Sequence, residues 1–365
     1  MAFLQSSAAN IRELLTVIRD FAVNQGWTLV YDTLGTTDQI GLEKGVCCIA
    51  IGDRRSNSSG TNSYNPRQEN DVLSGGTVND AYICSALSTS LNPSNPWYWG
   101  HPGSIVTTNS DTDWVIFNDA WGPFPNVYLF SNAAGSHILV VMQSGPDRFT
   151  HFAFGMLDKR DLTTPDVAFA LGQYHQWWPN GTDPNSNNTT FNDWDNNSHD
   201  FGYALETNSG VFQLRVPAGV LNTSYGFSGV DHVTDSNFAE SLRRSNNPDS
   251  VITTGTSAWS PGAINSYPMV RNMATTGGVP LHAIPVFYRD TSLNPDLMTY
   301  LGDLPDVRFV DLSNLNVGQE IKFGSDVWQV FPCKRRDNPD LLNGQPNAAL
   351  ILNSGWWGLA FKKVV

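Results

Sequence analysis

The helical period in this 365-residue chain is concentrated at its start, and that limits what the remainder can become. Ile11, Leu14, Leu15, Ile18, Phe21 and Ala22 fall on one face at helical spacing. Ser7 is the candidate N-cap, and Gly26, after Asn24 and Gln25, is a natural stop. From 27–31 onward the apolar residues come as short runs broken by Gly, Asn, Ser and Pro, the pattern of strands and turns. Candidate strands are 46–51, 80–85, 104–107, 113–117, 127–130, 137–143, 149–155 and 211–216. A cleaner final section adds 307–311, 320–323, 327–332, 348–352 and 357–362. Residues 131–136 read as a hairpin loop, and 323–327 as a tight turn. The expected fold class is α+β, dominated by antiparallel sheet in β-sandwich or barrel-like modules, with an N-terminal amphipathic helix. The expected division is a helix-plus-sheet domain over 1–160, a loop-rich middle β region over 161–290, and a small β module over 291–365.

Composition narrows the function. Charged residues make up 15% of the chain, below the quarter usual in soluble domains, so Asn, Ser, Thr and Gly must supply the polar surface. Such a balance suits strands, turns and surfaces buried against copies or neighbours. A net charge of −13 argues against a surface that tracks phosphates, which needs clustered Lys and Arg. The basic clusters, Lys334-Arg335-Arg336 and Arg243-Arg244, read as solvated loops, so no direct nucleic-acid binding is expected. No apolar run reaches bilayer length, and the N-terminal residues lack a basic and an apolar region of the signal-peptide kind, so no membrane association is expected. Cys47, Cys48, Cys84 and Cys333 include no C-x-x-C pair and read as buried free thiols, with Cys47 and Cys48 on opposite faces of a strand.

The chemistry-bearing residue types form few patterns. His101, His137, His151, His175, His199, His232 and His282 show no tight ligand spacing. His137 and His151 flank one hairpin, where packed, hydrogen-bonded histidines are the expectation. Asp193, Asp195 and Asn197 alternate like the start of a calcium loop. Ser198 stands where that loop needs Gly, and Ala204 where it needs a bidentate Glu, so a polar loop is expected, with at most a weakly held calcium ion. No nucleophile elbow, phosphate loop or dinucleotide fingerprint occurs, and no pair of carboxylates is singled out for glycoside hydrolysis. No catalytic residue is therefore assigned. Tryptophan clusters remain: Trp97, Trp99, Trp177, Trp178, Trp356 and Trp357 are candidates for interface or sugar contacts. The polar stretches 52–79 and 180–200 read as long excursions that carry contacts.

Two sets of residues resemble structural proteins of tailed bacteriophages. One is Arg148-Phe-Thr-His-Phe-Ala-Phe-Gly155, followed by Leu157-Asp-Lys159 and Ala168-Phe-Ala-Leu-Gly172, after an N-terminal helix and Gly26-Trp27. The other is Leu304-Pro-Asp-Val-Arg-Phe309, Gly318-Gln-Glu-Ile-Lys-Phe-Gly324 and Trp328-Gln-Val-Phe-Pro332, ending in Ser354-Gly-Trp-Trp-Gly-Leu-Ala-Phe-Lys362. Together they frame the chain in order, leaving 173–280 unmatched; Arg160-Asp161 stands where a Gly is usual soon after Lys159. The resemblance implies a virion component, made in the bacterial host cytoplasm, in the neck, tail or baseplate, with no catalytic residues. Such a part is expected to form a ring-shaped homo-oligomer and to contact other virion proteins. The competing expectation is a receptor- or carbohydrate-binding tail-tip module; a glycan hydrolase stands third.

Overall fold

The computed structural model describes residues 2–53, 83–95, 97–104, 115–117, 122–145, 148–159, 165–172, 174–175, 198–199, 212–216, 219–221, 226–227, 281–289, 298–312, 314–332 and 357–364. The chain enters as β1 (Phe3–Ala8) and α1 (Ile11–Asn24), then β2 (Thr28–Asp32), β3 (Gln39–Lys44), β4 (Cys47–Asp53), β5 (Ile83–Ser88) and β6 (Val115–Phe117). Next come β7 (Phe124–Phe130), β8 (His137–Gly145), β9 (Arg148–Met156) and β10 (Ala168–Leu171). Five short strands follow: β11 (Tyr174–His175), β12 (Ser198–His199), β13 (Phe212–Val216), β14 (Gly219–Leu221) and β15 (Gly226–Phe227). The last are β16 (His282–Arg289), β17 (Met298–Asp311), β18 (Glu320–Phe323), β19 (Asp326–Pro332) and β20 (Trp357–Lys363). Every pairing between these strands is antiparallel. The protein is thus β-rich, with antiparallel sheets and an N-terminal helix.

Apart from β11 and β12, which pair only with each other, the strands make a seven-stranded sheet, β1-β7-β8-β9-β10-β13-β14, a five-stranded sheet, β2-β3-β4-β5-β6, and a six-stranded sheet, β15-β16-β17-β20-β19-β18. The seven-stranded sheet lies between the other two. On β8, Ile138, Val140 and Met142 pack with α1 and the five-stranded sheet. The alternate residues Leu139 and Val141 pack with Val307, Phe331 and Phe361 of the six-stranded sheet. A strand with both faces buried needs apolar residues at every position, which is why 138–142 is an unbroken apolar run.

β9 divides in the same way. Phe149 and Ala153 turn toward the six-stranded sheet, whereas Phe152 and Phe154 turn toward α1. His151 shares the first face. It is fully buried, its Nε2 lies 2.9 Å from the Pro332 carbonyl, and its ring stacks on Phe361 at 5.6 Å. On the other face Trp27 meets Phe154 edge-on at 5.1 Å, and its indole N–H donates to the Gly135 carbonyl at 2.9 Å. Gly155 ends the motif for a steric reason: at φ +145°, a Cβ there would sit 2.4 Å from the His137 Cα.

The helix starts later than the sequence suggests. Asn10, not Ser7, is the N-cap: its side chain accepts from the Glu13 N–H at 3.0 Å, and the Glu13 carboxylate accepts from the Ala9 N–H at 2.8 Å. Ser7 is held extended because β1 pairs with β7, from Phe3 opposite Phe130 to Ala8 opposite Phe124. The six helical residues read from the period are all buried, and Gly26 follows the helix at φ +80°. The hairpin across 131–136 forms with Phe130 opposite Leu139, and 323–327 turns between β18 and β19. Strands β1, β3, β10, β11, β12, β14, β15 and β16 have no counterpart in the sequence reading, and 105–107 and 348–352 lie outside the described residues. Cys47, Cys48 and Cys84 are buried free thiols, Cys47 in the core beneath α1 and Cys48 on the opposite sheet face; Cys333 lies outside the described residues.

Replacing His151 by Ala removes a buried ring and orphans the Pro332 carbonyl, so a loss of about 3 kcal/mol in urea unfolding is expected. His151→Phe keeps the stack and should lose less, about 1–2 kcal/mol.

Candidate functional site

One face of the five-stranded sheet packs on α1. Its other face carries Tyr31, Cys48, Ala50, Cys84 and Ala86, and the segment 89–104 folds over it. Gly41 on β3 makes room for this face: a Cβ there would lie 2.3 Å from the ring of Tyr31, which crosses it from β2. The segment is closed at its base, where the N–H and hydroxyl of Thr89 both donate to the Pro102 carbonyl at 2.9 Å. Compact loops with adjoining ends, packed by their own side chains, are frequent carriers of function.

Asparagine turns shape the inside of this loop. Asn92 Oδ1 accepts from the Ser94 N–H, Asn95 Oδ1 from the Trp97 N–H, and Asn95 Nδ2 donates to the Trp99 carbonyl at 2.7 Å. Tyr98 points inward and is fully buried. Trp97 and Trp99, two residues apart, stay half-buried and stack on each other at 4.8 Å with their planes 19° apart. Each indole therefore spends one face on the other.

A chain of hydrogen bonds ties the pair to the sheet. The Asn92 N–H donates to His101 Nδ1 at 3.1 Å, which places the imidazole proton on Nε2. Nε2 lies 3.1 Å from the Tyr31 hydroxyl, and that hydroxyl donates to the Trp97 carbonyl at 3.2 Å. From β3, the Glu43 carboxylate accepts from the Leu91 N–H at 3.0 Å. Burial lowers the His101 pKa and raises that of Tyr31, so both rings are held neutral. Burial also raises the Cys48 thiol, with Glu43 adding to the effect, although Arg215 Nη1 lies 3.4 Å from the sulfur. With both imidazole nitrogens engaged, a phenol held protonated and a thiol held neutral, the cluster holds a flat aromatic surface in place.

A second polar group lies where the seven- and six-stranded sheets adjoin. His137 is fully buried, with Nδ1 3.2 Å from the Ser136 hydroxyl and Nε2 3.4 Å from Asp306 Oδ2. The latter contact lacks hydrogen-bond geometry. Asp158 and Asp303 exchange backbone hydrogen bonds of 3.0 Å beside it, and Tyr300 donates to Asp303 at 2.8 Å. His137 and His151 do not approach each other: across the β8–β9 ladder His137 faces Gly155 and His151 faces Val141. Among the described residues no three His, Cys, Asp or Glu side chains group as metal ligands.

The sequence candidates thus fare unequally. Trp97 and Trp99 come together; Trp357 opens β20 opposite Asp311. Trp177, Trp178, Trp356, the calcium-like Asp193, Asp195 and Asn197, and both basic clusters lie outside the described residues, as do 54–79 and 180–197 of the two long excursions. Tyr31, Asn92, Asn95 and His101 were not singled out for this site. Asn92 and Asn95, each preceding a turn, were the available signal. Among the described residues no helix is long and apolar enough to cross a membrane.

Tyr31→Phe should cost about 1 kcal/mol in chemical denaturation, because the Trp97 carbonyl loses its donor. The near-ultraviolet circular dichroism of the tryptophans should change with it. No protein-family model matches the chain, and no curated protein matches it.

Proposed function

We propose that this protein is a structural component of a tailed-phage particle, one subunit of a symmetric ring in the neck or tail-terminator region or the baseplate. The observation that carries the reading is how the resembling residues are used. Gly26-Trp27, 148–155, 328–332 and 358–361 are far apart in sequence, yet Trp27 packs on Phe154, and His151 contacts both Pro332 and Phe361. The residues that carry the resemblance thus meet on the two faces of β9, in the two cores that this strand separates, as expected of a scaffold whose product is shape.

In this reading the facing sheets are β-sandwich-like modules of an α+β chain. Heterologous contacts repeated around an axis close into a ring. The partners are other copies and further virion proteins. A net charge of −13 keeps the ring from adhering to a passing nucleic acid. Sedimentation and electron microscopy of the purified chain, with imaging of a particle that contains it, supply the test. A closed ring located in the neck, tail or baseplate is expected; a particle-free monomer at high concentration sinks the proposal.

A second reading, a receptor- or carbohydrate-binding tail-tip module, is favoured by the half-buried Trp97–Trp99 stack. It requires Trp97→Ala and Trp99→Ala each to weaken glycan binding by at least about tenfold, the size of a lost stacking contact. Binding unchanged in both variants on a glycan array removes it.

A further inference from the structure

The loop 89–104 rests on a hydrogen bond that works in only one protonation state. His101 is buried at 4% exposure, and its Nδ1 accepts from the Asn92 N–H. A proton added to the ring must go to Nδ1, because Nε2 already carries one. Two donors, Asn92 N–H and Nδ1–H, would then face each other across 3.1 Å. The same ring also engages the Tyr31 hydroxyl that holds the Trp97 carbonyl, so the strain passes directly to the tryptophan pair.

We propose that the loop 89–104 is a pH-sensitive latch: protonation of His101 releases it from the outer face of the five-stranded sheet and separates Trp97 from Trp99. The surrounding ionisable groups are Tyr31 on β2, Glu43 on β3 and Cys48 on β4, with Arg215 of β13 beside Cys48. Tyr31 and Cys48 are kept neutral by burial, so they do not compensate a charge on the ring. Glu43 favours the protonated ring and sets how acid the solution must become, while burial of His101 opposes it. A histidine whose folded-state pKa lies below its ordinary 6.5 stabilises the closed loop fully above that pH. The stabilisation fades as the pH falls below it. Opening uncovers Ala50, Cys84 and Ala86, an apolar patch for whatever the tryptophans meet.

The test follows the tryptophan exciton signal in circular dichroism, taken as wild type minus Trp97→Phe, from about pH 7.5 to about pH 4.5, on either side of the ordinary histidine value. Hydrogen exchange at Asn92, corrected for intrinsic rate, is followed in parallel. The exciton signal is expected to fade below pH 6.5 while the sheet signal persists, with Asn92 protection falling at least about tenfold. His101→Gln retains an acceptor and a donor but cannot titrate, and should stay closed throughout. Glu43→Gln lowers the closed-state pKa of His101 further and weakens the acceptor of the Leu91 N–H, so it should move the transition to higher pH. Asn92 protection that persists at low pH in the wild type, or opening of His101→Gln at the same pH as the wild type, overturns the latch. Should His101→Gln not fold, the Asn92 exchange of the wild type and of Glu43→Gln decides alone.

Discussion

A strand buried on both faces has no solvent side on which to place a polar group, and β8 and β9 occupy that position. Everything polar on them must be satisfied by something specific. His151 meets this demand with a backbone carbonyl of β19 and an aromatic ring of β20, so the one polar ring on that face of β9 also joins two sheets. Trp27 does the equivalent on the other face, combining a ring contact to β9 with a hydrogen bond to the β7–β8 turn. Lys44 extends the arrangement by donating to the carbonyls of Gln25 and Ala134 at 2.6 and 2.7 Å, which ties the helix end to that turn. The outer sheets are thereby registered on the middle one by a few directional contacts, while nonspecific burial supplies the bulk of the stability.

The loop over the five-stranded sheet follows a different logic. Its apolar cluster is small, with Tyr31, Leu91 and Tyr98 at its centre, and much of its definition comes from asparagine and histidine hydrogen bonds. Regions with few buried contacts and many polar ties lie at the low-stability end of a fold. An aromatic pair mounted there can be moved without disturbing the three-sheet core.

What could be read in advance followed the range of the interaction concerned. The helical face was legible because its period is written in consecutive turns, and the 131–136 hairpin because its turn chemistry is local. The N-cap was misassigned because Ser7 and Asn10 are equally good caps locally, and pairing of Phe3–Ala8 with β7 decides between them. β3 was missed because Gln39 and Gly41 interrupt its apolar pattern. Both are explained by packing: Gln39 Nε2 bonds the carbonyls of Thr37 and Asp53, and Gly41 lies beneath the Tyr31 ring. At the candidate site, Trp97 and Trp99 stood out as residue types. Their anchors did not, since Tyr31 is 66 residues from Trp97 and 70 from His101.

The pairing of β1 with β7 has a consequence for how the chain is made. Gln5 and Asn126, bonded side chain to side chain, are 121 residues apart, and His151 waits a further 181 for Pro332. At about 5–20 residues per second on a ribosome, β1 has no partner for roughly ten seconds, and the middle sheet lacks its second cover for longer still. During that interval the apolar faces of β8 and β9 are exposed to one another's copies on neighbouring nascent chains. Slow, crowded synthesis should therefore produce aggregates, and a holdase that shields this segment should raise the yield of folded protein.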